Sequence, residues 1–197
     1  GGFSDILSSL FGNVRGGAGA GGADPNQRAH HPQARGRDVA YRLDIGLEDA
    51  LLLKAQRLRL KNGKTIEVKL PQGLEHGTKI RLGGQGEGGF GEAGDAIITV
   101  QFKPDPLFSR SGDDLLVELH ISLKQAVLGA KVKAPVAGGA VMLTITAGSS
   151  SGKVLRLKNK GFSRKDGSRG DQLIKLMIDI PANNQELRDF VNIWAID

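Results

Sequence analysis

The 197 residues contain no cysteine, which excludes a disulfide framework, a Cys-ligated zinc site, an iron–sulfur cluster and a thiol nucleophile. Aromatics are scarce at seven Phe, one Tyr and one Trp, too few to interleave with basic residues as a stacking platform for single-stranded nucleic acid. No apolar run approaches the ~18 residues of a membrane span and no basic-then-apolar leader opens the sequence, so a cytoplasmic protein with no membrane partner is expected. The chain starts at Gly1 without a methionine, and we expect it to be part of a longer polypeptide. What is abundant is glycine: 29 residues, about twice its usual ~7% share. With Leu, Ile and Val at alternate positions, this predicts short strands joined by tight turns.

Motifs that would carry chemistry are also missing. Gly84, Gly86 and Gly89 match the spacing G-x-G-x-x-G, yet a dinucleotide site needs a helix after the loop to receive the pyrophosphate. Here the glycines run on through Gly91 and Gly94 into a strand. Gly148 to Lys153 is one residue short of a P-loop, and Val154 stands where a magnesium-holding Ser or Thr belongs. His30, His31, His76 and His120 have no second ligand at recognisable spacing. Asp113-Asp114 follows Gly112 and predicts an Asx-type turn. Arg169-Gly170-Asp171 belongs to an internal repeat, not to an adhesion motif. No enzyme, cofactor or metal site is expected.

The first 36 residues hold nine glycines and five charged residues, the composition of a flexible linker. Within it, Phe3, Ile6, Leu7, Leu10 and Phe11 fall on one helical face, with Ser4 to cap it and Gly12 to end it. So short a helix needs a partner for its apolar side. From Gly36 to Pro181 the chain matches itself when slid by 75 to 76 positions. Gly36, Asp38, Leu43, Ile45, Leu47 and Ala50 fall on Gly112, Asp114, Leu119, Ile121, Leu123 and Ala126, and Gly77, Arg81, Gly86, Gly94 and Asp95 fall on Gly152, Arg156, Gly161, Gly170 and Asp171. We therefore expect a mostly β protein of two tandem homologous sandwich-like modules with short helices and two small cores, residues 37–104 and 105–181, between the 1–36 linker and a 182–197 helix. In the hairpin around Asn62-Gly63, a two-residue turn would oppose Leu58 with Glu67. A three-residue loop with Gly63 left-handed opposes Leu58 with Ile66 and is the expected form.

After Pro181, an Asn183 or Asn184 cap precedes Leu187, Phe190, Val191 and Trp194 at i, i+3, i+4, i+7. This stripe either joins a second copy as a homodimer or folds back on the second module. The basic residues cluster twice: Lys54, Arg57, Arg59, Lys61, Lys64 and Lys69 at the first hairpin, and Lys153, Arg156, Lys158, Lys160, Arg164, Lys165 and Arg169 in the second module. Each cluster meets either phosphates or an acidic peptide, or simply keeps a face solvated.

Taken in order, these motifs resemble the C-terminal part of DnaJ-type J-domain co-chaperones, including the glycine/phenylalanine-rich region. The resemblance rests on Gly1-Gly2-Phe3-Ser4-Asp5-Ile6, Gly36-Arg37-Asp38, Leu47-Glu48-Asp49-Ala50, Leu70-Pro71, Gly77-Thr78-Lys79-Ile80-Arg81-Leu82, Pro104-Asp105-Pro106-Leu107-Phe108 with Gly112-Asp113-Asp114-Leu115, and Gly152 to Phe162. These residues carry no J domain, since His31-Pro32-Gln33 is not the His-Pro-Asp tripeptide, so this stretch by itself is not expected to stimulate a DnaK-type ATPase. The zinc region that some members insert into the first module is reduced here to the Lys61 to Lys64 turn, which resembles the zinc-free class that includes curved-DNA-binding homologues. The resemblance implies a stress-response co-chaperone that captures unfolded client proteins for a DnaK-type chaperone. It maps the apolar client groove onto Tyr41, Leu43, Leu58, Leu60 and Phe102; these residues otherwise serve as ordinary core. Lys54, Arg57, Arg59, Lys61 and Lys64 would receive acidic tail segments of the partner chaperone. DNA binding is the competing expectation.

Overall fold

The computed structural model describes residues 35–89 and 91–194; the Phe3 to Phe11 stripe, the linker before residue 35 and the histidines His30 and His31 lie outside them. β1 (Val39–Ile45), α1 (Leu47–Leu51), β2 (Gln56–Arg59), β3 (Thr65–Val68), β4 (Lys79–Leu82) and β5 (Ala96–Phe102) form a first copy of the repeat. After β6 (Phe108–Ser111), a second copy follows as β7 (Asp114–Ser122), α2 (Leu123–Leu128), β8 (Ala130–Val136), β9 (Gly139–Ile145), β10 (Val154–Leu157) and β11 (Gln172–Asp179), and α3 (Gln185–Ile193) comes last. The fold is mostly β with short helices, as the alternation predicts.

The sequence repeat is a repeat of strand register. β1 runs parallel to β5 with Val39 opposite Ala96, and β7 runs parallel to β11 with Leu115 opposite Gln172. β4 and β10 then add antiparallel to the far sides of β5 and β11. Each copy is held by the same clasp. The Asp95 N–H donates to the Asp38 carboxylate and the Asp171 N–H to that of Asp114, both at 2.7 Å. Asp114 thus reaches across the sheet instead of forming the expected Asx-type turn. The glycine-rich loop crosses β1's leading residues so closely that a Cβ on Gly94 would lie 2.2 Å from the Arg37 carbonyl oxygen, and one on Gly170 would lie 2.1 Å from that of Asp113. The glycines serve backbone crossing, and a strand follows them, not a helix.

The first hairpin takes the bulged turn: Leu58 pairs with Ile66, the Leu60 N–H donates to the Lys64 carbonyl at 2.8 Å, and Gly63 has φ +84°. The expectation of two separate cores is overturned. One continuous cluster joins Leu43, Ile45, Leu51, Val68, Ile98 and Val100 of the first copy to Phe108, Leu115, Val117, Phe162 and Ile174, leaving a smaller cluster of Ile121, Ala126, Val132, Ile145 and Leu176. The cause is a junction in which the Arg110 guanidinium lies 4.3 Å from the Phe162 ring centroid and 5.3 Å from that of Phe102 while donating to the Leu74 carbonyl at 3.0 Å. The Arg169 guanidinium donates to the Leu51 carbonyl (2.7 Å) and the Gly73 N–H to that of Ser163 (3.1 Å).

Candidate functional site

The inner face of the β1–β5–β4 sheet is roofed by the β2–β3 hairpin, and the two meet through alternate side chains. β1 contributes Tyr41, Leu43 and Ile45, and the hairpin contributes Leu58, Ile66 and Val68. Of the five residues mapped onto a groove, Leu43 and Leu60 are 7% and 3% exposed. Neither is open lining: Leu43 is floor on β1 and Leu60 is buried at the hairpin's end, because periodicity tells which face a residue takes and not how thick its cover is. Tyr41 and Leu58 are half-buried, and the Lys61 N–H donates to the Tyr41 hydroxyl at 3.2 Å, fixing the hairpin tip against β1. Half-buried Ile66, Ile80 and Leu82 extend this apolar rim; the same alternation that marked Leu58 would have found them.

Phe102 is the outlier. Its partner on β1 is Ile45, whereas Tyr41 faces Ile98, about 13 Å further along the strand. Its ring sits edge-on to His76 at 6.0 Å and stacked on Phe162 at 6.3 Å. Phe102 therefore belongs to the junction between copies.

Backbone edges accompany the rim. Among the described residues β1 pairs only with β5, and β2 only with β3, so each strand keeps one row of amides unpaired, the template on which an extended peptide pairs. Arg57 and Arg59 alternate to the outside of β2, with Lys61 in the loop, and none of the three makes an ion pair among the described residues. Lys64 donates to Gln85 at 3.4 Å. Lys54 is drawn away from this group, since its ammonium pairs with Asp49 at 3.2 Å and Glu48 at 3.8 Å.

In the second copy, much of the basic cluster serves the fold: Arg164 pairs with Asp113 at 2.7 Å, Arg156 with Asp171 at 3.5 Å, and Lys153 donates to Thr146 at 2.6 Å. A cleft of about 560 Å³, unmarked by any motif, lies on the outer face there, lined by Pro106, Leu107, Leu116, Val154 and Leu173 beside the Glu118–Lys175 ion pair. At its edge the His120 Nδ1 lies 2.8 Å from the Asp179 carboxylate, a hydrogen bond that raises the imidazole above its ordinary 6.5. In the first copy the backbone N–H of Gly84, together with Arg81 and Arg35, lowers the Asp95 carboxyl from 3.8 to about 2. Among the described residues no group of three or more His, Asp and Glu side chains could hold a metal, and no helix is long and apolar enough to cross a membrane.

α3 forms where the stripe predicts it, with the Leu187 N–H donating to the Asn184 side chain at 2.8 Å. Most of its stripe stays uncovered: Leu187 is half-buried, but Phe190, Val191 and Trp194 are 53, 53 and 56% exposed, and the Phe190 and Trp194 ring centroids lie 5.5 Å apart.

Comparison with known families decides the kinship. The model of the DnaJ C terminal domain matches residues 33–181. The chain belongs to the DnaJ C-terminal domain family. It is 37% identical over 196 residues, 92% of its own length, to the curved DNA-binding protein of Pseudomonas putida strain W619, and 37% identical over 145 residues, 74% of its length, to the chaperone protein DnaJ 2 of Synechocystis sp.. A curved DNA-binding protein of Coxiella burnetii is 36% identical over 94% of the chain. The chain spans 61% of the Pseudomonas relative, 46% of the Synechocystis one and 62% of the Coxiella one.

Proposed function

We propose that this part of a DnaJ-family protein captures extended, apolar segments of unfolded clients on its first module and holds them for a DnaK-type chaperone. The carrying observation is that, among the described residues, the first copy combines a half-exposed apolar rim, centred on Tyr41 and Leu58, with unpaired strand edges at β1 and β2. An added strand draws affinity from backbone pairing, and its alternate side chains draw specificity from the rim. Arg57, Arg59, Lys61 and Lys64 stand beside that rim as receivers for an acidic tail of the partner chaperone, a role in which Lys54 takes little part because α1 already neutralises it. Ordering a floppy client consumes much of the contact energy, so a second site raises effective concentration. The exposed Phe190 and Trp194 of α3 would supply that second site by joining two copies. Replacing both by alanine is expected to give monomers in light scattering and weaker suppression of client aggregation; unchanged mass and unchanged suppression would refute it.

A second reading, DNA binding, is favoured by the net charge of +6 and by the names of the Pseudomonas and Coxiella relatives. Salt separates the two. Phosphate contacts lose orders of magnitude in affinity between 50 and 200 mM salt when about six or more are made, whereas apolar capture persists. Client binding across that range, in the native chain and in Tyr41→Ser and Leu58→Ser variants, is the direct test. The first reading predicts salt-resistant binding that both substitutions weaken, and the second predicts salt-sensitive DNA binding that neither touches.

A further inference from the structure

A small cavity of about 110 Å³ lies where the two copies meet. Leu51 and Leu52, at the C-terminal end of α1 in the first copy, form one wall, and Val136 and Ala137, at the tip of the β8–β9 hairpin in the second, form the other. Two hydrogen bonds hold these walls together: the Gly138 N–H donates to the Glu48 carboxylate at 3.1 Å, and the Arg169 guanidinium donates to the Leu51 carbonyl at 2.7 Å. Asn159, Lys160, Arg169 and Gln172 complete the lining.

Gln172 is the unusual member. It is 0% exposed, its Nε2 donates to the Pro135 carbonyl at 2.8 Å, and its Oε1 has no hydrogen-bond partner among the described residues. The amide has only this orientation, because a carbonyl accepts and never donates, so the atom left over is an acceptor. A buried acceptor without a donor is destabilising, and the fold does not require this one. The repeat places Gln172 on Ala96, Arg169 on Ala93 and Asn159 on Gly84. The first copy thus builds the same sheet and the same clasp without any of these three polar side chains. The mouth of the cavity is cationic: Lys160 is exposed, Arg169 is half-buried, and neither makes an ion pair among the described residues. The carboxylates bonded to the lining elements are already engaged, Glu48 by Gly138 and Lys54, and Asp171 by the Asn159 N–H at 2.8 Å and by Arg156 at 3.5 Å.

A ligand that answers both ends carries an uncharged donor for Oε1 and an anionic group for the two cations. An ammonium donor would be repelled by Lys160 and Arg169, and an anionic group placed inside would be repelled by Oε1. Since a cavity of about 150 Å³ takes up benzene, this one takes roughly four or five non-hydrogen atoms, with the charged end of the ligand at the mouth. We propose that the junction cavity binds a short hydroxycarboxylate, its hydroxyl donating to Gln172 Oε1 and its carboxylate lying at the mouth beside Lys160 and Arg169. Bound there, the ligand touches both copies at once. This site is separate from the client-capture reading and does not rest on it.

The test is a titration of the whole chain with L-lactate, with propionate, which keeps the carboxylate and lacks the hydroxyl, and with 1,2-propanediol, which keeps the hydroxyl and lacks the carboxylate. NMR follows the Gln172 side-chain amide and the backbone amides of Leu52, Ala137 and Arg169. Lactate is expected to shift all four and to saturate with a Kd on the order of 1–10 mM. Propionate and the diol are expected to bind about tenfold more weakly or worse, each for want of one polar contact. Gln172→Leu should bring lactate down to the affinity of propionate, and Lys160→Ala, at an exposed side chain, should weaken lactate and leave the diol unchanged. The comparison of the three ligands on the unsubstituted chain decides the matter even where Gln172→Leu folds poorly. Equal affinities for all three, or lactate shifts confined to residues outside the cavity, overturn the proposal. So does lactate binding that Gln172→Leu leaves intact, or no saturation below about 100 mM, the behaviour of a cavity that takes up water alone.

Discussion

The two copies of the repeat share a register and a clasp but differ in what lies at the edge of their first strand. In the second copy β6 covers β7, Phe108 seals Val117, and the inner face becomes part of a continuous core. In the first copy no described strand lies on that side of β1, and Tyr41 and Leu58 remain half-exposed. The clasps differ too: Asp95 takes two arginines, Arg35 and Arg81, whereas Asp171 has Arg156 at 3.5 Å. Among the described residues, one architecture thus carries an added four-residue strand in one copy and none in the other.

The largest expected effect tests whether the copies stand or fall together. Gly94→Ala and Gly170→Ala each drive a Cβ into a carbonyl oxygen at about 2 Å, a clash that relaxes only by moving backbone, at about 3 kcal/mol or more. Because the core is shared, each should lower one common unfolding transition seen by both calorimetry and amide exchange. Two separated transitions, with the unsubstituted copy persisting, would break the shared-core picture. Phe162→Ala follows at about 3–5 kcal/mol, since the side chain is 2% exposed and backs Arg110.

Charge sharpens the contrast between the clasps. The Asp95 carboxyl is depressed in the folded chain from 3.8 to about 2, so its stabilising contribution is fully present above about pH 4 and is lost as the pH falls through about 2. Asp95→Asn should flatten acid unfolding in that window; an acid limb left unchanged would remove the contribution. The smallest effect is at His120, raised by Asp179. That pair contributes below pH 6.5 and loses its contribution as the pH climbs through the raised value. His120→Gln should erase this slope, and the slope itself should be slight because both side chains are more than half exposed.

Self-similarity made the register legible, since the clasp needs Gly and Asp at fixed places and these recur at the same offset in both copies. The Gly63 bulge was equally legible, because one-residue slippage would have turned Leu58 against Glu67. Burial was not. Leu43 and Tyr41 alternate identically along β1, yet one is floor and the other rim, which depends on the hairpin packed above them. The junction of Phe102, Phe162 and Arg110 joins residues far apart in sequence and leaves no periodic trace, so one core per copy was expected where the larger cluster spans both. The β6 edge was missed for a similar reason: four residues with a single buried aromatic carry no strand signal of their own.

The central claim, that the open copy receives extended apolar chains, is tested most directly by titrating an unfolded client into the native chain and into Tyr41→Ser at 50 and 200 mM salt. Affinity that changes less than about threefold with salt and falls about tenfold with the substitution is the predicted result. Binding that collapses with salt and ignores the substitution would contradict it.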